Sequence, residues 1–187
     1  MNRPKPPGSK TELLSNIVSG RQAWDSLLNQ ISDDEMKVTG VEGVWSVRDV
    51  LAHITGYEQY AWAMLWDKHH NETRQTATFD AYYQTHLTLY RAQHPDFPEK
   101  IQQVQPDQIN SLFAAAYQFK LPKEVRAMER EAYQRLLEMV QLFTDEAIKS
   151  QFTPNGKSLM DLIPNQCYMH YYLHAPALEK FLAGKQK

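Results

Sequence analysis

The chain has 187 residues, 20 basic and 22 acidic side chains, a formal net charge of −2, and a single cysteine, Cys167. That length suits one domain able to bury roughly 70% of the surface its unfolded form exposes, so no disulfide framework is needed. Charge spread along the chain without a basic block argues against a nucleic-acid partner. No apolar run reaches the ~18–20 residues that cross a bilayer. The lone cysteine and the lack of a secretory signal pattern predict a reducing, cytoplasmic setting.

The opening MNRPKPPG cannot start a helix, and residues 1–8 are expected to be a disordered tail. A single bundle domain is expected over 9–183. Ser9 and Glu12 form a capping-box pattern ahead of Leu13, Leu14, Ile17, Val18, Trp24, Leu28 and Ile31, which repeat at helical spacing and predict a first helix ending near SDDE. Ser46 and Asp49 repeat the pattern and open a second helix, carrying Val47, Val50, Leu51, Ile54, Ala61 and Leu65 to about His70.

Residues 71–106 are polar and aromatic, with His-Pro, Phe-Pro and Gln-Pro steps, and read as an insertion holding at most the short helix FDAYYQTHLTLYRAQ. A crossover of that length allows consecutive long helices to run parallel. Helical spacing resumes at INSLFAAAYQF, is interrupted or kinked at Pro122, and continues through Val125, Met128, Ala132, Leu136, Val140 and Phe143 as the third helix. After TPNGK, Ser158 and Asp161 cap a last helix that runs to about Leu182. Its Pro176 predicts a bend just past the histidines. The fold class is therefore all-α, a four-helix bundle with a long connection between helices two and three.

His170 and His174 are four residues apart on the last helix, so both imidazoles leave one face a turn apart, as two nitrogen ligands to a divalent cation would. His53 on the second helix is the third candidate. Three protein ligands with open positions describe a catalytic or ligand-accepting metal more than a structural zinc. The competing reading for any one of them alone is a hydrogen-bonded core histidine. Asp49 is either an acceptor orienting an imidazole or simply a first-turn acid, and Gly56 would leave space beside the ion. Cys167 reads as a small buried side chain, with a fourth ligand or reactive thiol as the alternative. His69 and His70 read as solvent-facing residues at a helix end; His86 and His94 lack ligand spacing. No E-x-x-H, H-E-x-x-H, paired C-x-x-C, G-x-S-x-G or phosphate-cradling glycine motif is present.

The stretch W-S-V-R-D-V-L-A-H-I, followed by the C-terminal H-x-x-x-H, resembles the DinB/YfiT-like superfamily of four-helix proteins. The W-S-V-x-D-V-L-A-H opening, the long connection and EVRAMEREAYQRLLEMV are closest to its ClbS/DfsB branch. The resemblance implies a divalent metal held by His53, His170 and His174. Some ClbS-like members lack these histidines and are associated with protection against a genotoxic metabolite, whereas this chain has all three. Other branches resemble thiol-dependent S-transferases and maleylpyruvate isomerases. The expectation is a metal-dependent enzyme of stress or detoxification, a hydrolase or thiol transferase acting on a small electrophilic or thiol-bearing molecule. Its ion would be zinc or nickel first, with iron, cobalt or copper as further options. The other reading is a non-enzymatic ClbS/DfsB-like protein that sequesters a toxic small metabolite. Small-molecule binding and no membrane are expected, and a homodimer is left open.

Overall fold

The computed structural model describes residues 3–70, 84, 87–88, 90–98 and 105–185. Among them are seven α-helices: α1 Lys10–Leu28, α2 Val47–His69, α3 Pro106–Ala116, α4 Pro122–Leu142, α5 Asp145–Lys149, α6 Leu159–Gln166 and α7 Tyr168–Gly184, with a 3-10 turn at Glu35–Lys37. The four long ones, α1, α2, α4 and α7, make the bundle, and no strand occurs among the described residues. Most of the 71–106 insertion, including His86, lies outside the described residues. No described helix is long and apolar enough to cross a membrane.

Helix starts follow the capping chemistry. Ser46 Oγ accepts from the Asp49 N–H at 3.2 Å while Asp49 Oδ2 accepts from the Ser46 N–H at 2.9 Å, and Ser158 with Asp161 repeats this at 3.3 and 2.8 Å. At α1 the reciprocal half shifts by one residue, because Glu12 Oε2 takes the Gly8 N–H at 2.6 Å. The C-terminal end of α1 is closed from α4, whose Arg126 donates to the Leu28 and Ile31 carbonyls at 3.2 and 2.5 Å.

Two long helices expected from the sequence are each broken in two. Of the interruption or kink expected at Pro122 the structure has the interruption: α3 ends at Ala116 and α4 starts afresh with Pro122 at its first position. Proline disfavours the helical region for Leu121, which sits at φ −67, ψ 149, and its missing N–H is harmless at a helix start. In the last helix the break precedes the histidines: Cys167, at φ −132, ψ −112, separates α6 from α7. Pro164 inside α6 lacks the N–H that would bond to Met160 and crowds that carbonyl, which loosens the turn. Pro176 stays within α7 on the exposed side, where solvent can serve the carbonyl it leaves free. The short α5, capped by Thr144, was not legible in the sequence pattern.

The core joins Leu13, Ile17 and Trp24 of α1 to Leu51, Ile54 and Leu65 of α2, Val125 and Leu136 of α4, and Tyr168, Tyr171 and Leu178 of α7, all fully buried. Helices α1 and α7 approach closely at Gly20, where an added Cβ would lie 2.9 Å from Tyr168 Cβ. A charged cluster threads this core. Arg21 pairs with both Glu129 oxygens, the Nη2 to Oε2 distance being 2.8 Å, and its Nε donates to Asp25 Oδ2 at 2.9 Å. Beside it the Tyr171 hydroxyl donates to Glu58 Oε1.

Candidate functional site

The three candidate histidines meet. Ring centroids lie 5.1 Å apart for His53 and His170, 5.0 Å for His53 and His174, and 6.0 Å for His170 and His174. The last two rings are nearly parallel, as the i, i+4 spacing on α7 dictates, and His53 on α2 meets both nearly edge-on. His53 and His174 are buried, and His170 is partly so.

Each ring leaves a buried nitrogen without a hydrogen-bond partner: His53 Nδ1, His170 Nδ1 and His174 Nε2. Buried polar atoms are rarely left so, and three in one place call for an explanation. Burial lowers the His53 pKa to about 2, with the neighbouring His170 and His174 adding to the effect, and burial followed by His174 lowers His170 to about 4. Both rings are neutral at pH 7 and keep their lone pairs.

His174 has a partner on its other side, since its Nδ1 lies 2.6 Å from Glu42 Oε2. A carboxylate only accepts, so Nδ1 donates in this contact, and in the neutral ring Nε2 is the nitrogen that bears the lone pair. Glu42 reaches this position through the turn ahead of α2. Gly43 takes φ +60, and the Trp45 N–H bonds the Glu42 carbonyl at 2.9 Å. The same turn lays the Trp45 ring 5.2 Å from His53. Sequence reasoning missed Glu42. The available signal was a lone acid between Gly40 and Gly43, just ahead of a helix that bears a candidate ligand. Asp49 has the other role left open for it, closing the capping box with Ser46.

Aromatic rings wall the site. Tyr57 stacks on His170 at 4.3 Å, meets His53 edge-on at 4.9 Å, and donates its hydroxyl to Asn110 Oδ1 at 3.0 Å. Phe113 of α3 packs against Tyr57 at 5.2 Å. Gly56 opens no space beside the histidines: its missing Cβ admits the Phe113 ring, which would lie 2.2 Å from that atom. Cys167 is fully buried, and burial, followed by the nearby Glu58 charge, raises its thiol pKa well above normal, so it stays protonated. His69 and His70 are exposed as expected, His70 stacking on Trp66 at 4.0 Å, and His94 stacks on Tyr90 at 4.2 Å away from the site.

A cavity of about 270 Å³, lined by Arg3, Asn165, Met169, His170, Tyr172 and Leu173, reaches His170. Among the described residues, no group of three or more His, Cys, Asp or Glu side chains already stands at ion-holding spacing. The donor chemistry nonetheless fits a divalent cation: three buried imidazoles converge, two are held neutral, and each has an unused nitrogen.

An all-α bundle with a histidine cluster between α2 and α7 is the class that these features define. The chain belongs to the DinB superfamily, whose profile matches residues 16–163, a span that includes His53 and ends before α7. No curated protein matches the sequence. Solved crystal structures share the fold, two among them as follows. One is an uncharacterised protein from Escherichia coli UTI89, with 16% identity, TM-score 0.73 and 96% of each chain covered. The other is the colibactin self-resistance protein ClbS in complex with a dsDNA, with 16% identity, TM-score 0.71, and 94% of this chain and 96% of that one covered. The ClbS complex corrects the exclusion of nucleic acid drawn from composition. Net charge averages a whole surface, whereas phosphate contacts are made by a few locally presented cations and N–H groups, so a value of −2 gives no ground for exclusion.

Proposed function

We propose that this DinB-superfamily protein is a metal-dependent enzyme that acts on a small electrophilic or thiol-bearing molecule, with His53, His170 and His174 holding the ion. The observation that carries the reading is the convergence of three imidazoles, each with a buried nitrogen that has no hydrogen-bond partner among the described residues, with His170 on the wall of a cavity of small-molecule size. When bound, a divalent ion such as zinc or nickel, or else iron, cobalt or copper, supplies Lewis acidity that brings the pKa of a water to about 7.

The chain's own groups do the rest. Burial keeps His53 and His170 neutral, Glu42 holds the His174 proton on Nδ1, and Tyr57, Trp45 and Phe113 exclude bulk water. His170, on the cavity wall, is the ring a substrate reaches first. The test is a metal analysis of protein purified without a histidine tag or added metal. About one divalent ion per chain, lost in the His174→Ala variant, supports the reading, and metal-free protein that takes up none overturns it.

A second reading rests on the likeness to ClbS: the cavity would hold a toxic small metabolite without turning it over, and duplex DNA becomes a partner to assay. Saturable ligand binding that is indifferent to metal favours this reading.

A further inference from the structure

The cavity that reaches His170 contains one charged side chain, and it comes from the far end of the chain. Among the described residues, Arg3 is the only Lys, Arg, Asp or Glu in its lining. A neighbouring cavity of about 640 Å³ shares Arg3, Asn165 and Met169 with it and is lined further by Pro4, Lys5, Pro6, Pro7, Asp161 and Pro164. The two spaces adjoin at Arg3, Asn165 and Met169, and the larger alone lies in the size range that small organic ligands occupy, roughly 300–1,000 Å³.

The segment is held in place. Prolines at 4, 6 and 7 fix φ and leave few alternative paths. The Lys5 carbonyl accepts from Asn16 Nδ2 at 3.4 Å, and the Gly8 N–H is held by Glu12. Arg3 has no ion-pair partner among the described residues. The acid nearest in this lining, Asp161, is engaged by the Ser158 N–H and hydroxyl at 2.8 and 2.6 Å. A free guanidinium presents a planar fork that suits carboxylate and phosphate. Across the same cavity lie Met169, Tyr172 and the two-thirds-exposed Leu173, an apolar surface for a short hydrocarbon body.

We propose that Arg3 is a specificity-determining residue that selects ligands bearing an oxyanion, carboxylate or phosphate, at one end, with a short apolar body on Met169 and Leu173 and the other end at His170. This rests on the histidine cavity being the ligand site, but it needs no metal to be tested.

The experiment titrates the metal-free, full-length chain in chelator with hexanoate, hexylphosphonate, hexanol and hexylamine, following the ring resonances of His170 by NMR. The two anions should give saturable shifts at His170, with hexanol and hexylamine binding at least threefold more weakly. Arg3→Gln should weaken both anions at least threefold, Arg3→Lys should restore part of the loss, and Lys5→Gln should have a smaller effect because Lys5 lines only the outer cavity. A stronger response to hexanoate or to hexylphosphonate identifies which oxyanion the site takes. Higher salt should weaken the anions alone, since the pair is solvent-exposed. Equal effects of Arg3→Gln and Lys5→Gln, an Arg3→Gln variant with unchanged affinity, comparable binding of hexylamine, or no shift at His170 overturns the proposal. Anion binding that depends on Arg3 in a protein that takes up no metal leaves this inference standing and removes the metal reading alone.

Discussion

His174 Nδ1 and Glu42 Oε2 are 2.6 Å apart, although 132 positions separate the residues in sequence. The contact fixes both the ring orientation and the tautomer, and Nε2 is the buried nitrogen it leaves without a partner. Carboxylates that orient ligating histidines in this way typically contribute 10- to 100-fold in metal affinity. Glu42→Ala is therefore expected to weaken divalent-metal binding by about 10- to 100-fold, with Glu42→Gln intermediate and helical content unchanged. A competitive chelator titration measures this, and equal affinities for wild type and Glu42→Ala would remove Glu42 from the site.

Removing a ligand should be far more damaging than removing its support. His53→Ala, His170→Ala and His174→Ala are each expected to lower metal affinity by more than about 100-fold, beyond the range for a supporting carboxylate, while keeping the helical circular-dichroism signal. The bundle does not depend on these rings for its core, which is built from Leu51, Ile54, Tyr168 and Leu178 around them. A variant that retains full occupancy is not a ligand. One that unfolds shows the ring to be structural.

The depressed pKa values of His53, about 2, and His170, about 4, imply an acid-sensitive metal-free protein. Below the ordinary value of 6.5 the unfolded chain takes up protons that the folded one refuses, so the contribution of these two groups is full above pH 6.5 and declines as pH falls toward 4. Each histidine can contribute a slope of up to about 1.4 kcal/mol per pH unit. Urea unfolding in chelator at pH 7.5 and 5.0 should show this loss, and a double His53→Ala, His170→Ala variant should show a shallower one. Parallel pH dependences in the two proteins would place the titrating groups elsewhere.

Local chemistry explains what the sequence disclosed. Ser46 with Asp49 and Ser158 with Asp161 cap helices because each pair is three residues apart, and His170 with His174 share a face because they are four apart. Contacts between distant segments were hidden. The Glu42 turn joins residues that periodicity cannot link, and the Arg3 segment reads as a tail until the outer cavity is seen. The break in the last helix was misplaced for a related reason. Proline marks where a helix is weakened, while packing decides where it parts, so α6 ends at Cys167 and Pro176 is absorbed within α7.

Gly56→Ala tests the aromatic wall. Alanine normally stabilises a helix interior by about 1 kcal/mol over glycine. Here its Cβ would stand 2.2 to 2.5 Å from three carbons of the Phe113 ring, well inside contact distance. The clash should outweigh the helix preference and destabilise the protein by about 1–3 kcal/mol. Because Phe113 packs on Tyr57, and Tyr57 on His170, ligand affinity should fall too. Adding Phe113→Ala should recover part of the loss attributable to Gly56→Ala. A Gly56→Ala protein at least as stable as wild type would show that α3 yields freely.

Glu58 gives the opposite pH signature to the histidines. Its side chain is fully buried, Oε1 accepts from the Tyr171 hydroxyl, and Oε2 has no hydrogen-bond partner. Burial, then the neighbouring Glu129, raise its pKa well above the ordinary 4.5, so the folded protein holds a proton that the unfolded chain releases. Stability from this group is complete below pH 4.5 and declines as pH rises toward the folded value. Glu129, pushed up to about 7 by burial despite its Arg21 partner, acts in the same direction and remains in both proteins compared. Glu58→Gln, a neutral isostere that still accepts from Tyr171, should leave stability near wild type at pH 5 and exceed it at pH 9. Relative to Glu58→Gln, Glu58→Leu should cost about 1–3 kcal/mol at either pH, because it leaves the Tyr171 hydroxyl buried without an acceptor. Urea unfolding of the three proteins at pH 5, 7 and 9 separates these effects. If wild type and Glu58→Gln lose stability in parallel between pH 5 and 9, Glu58 is ionised in the native core and its proton plays no part in the fold.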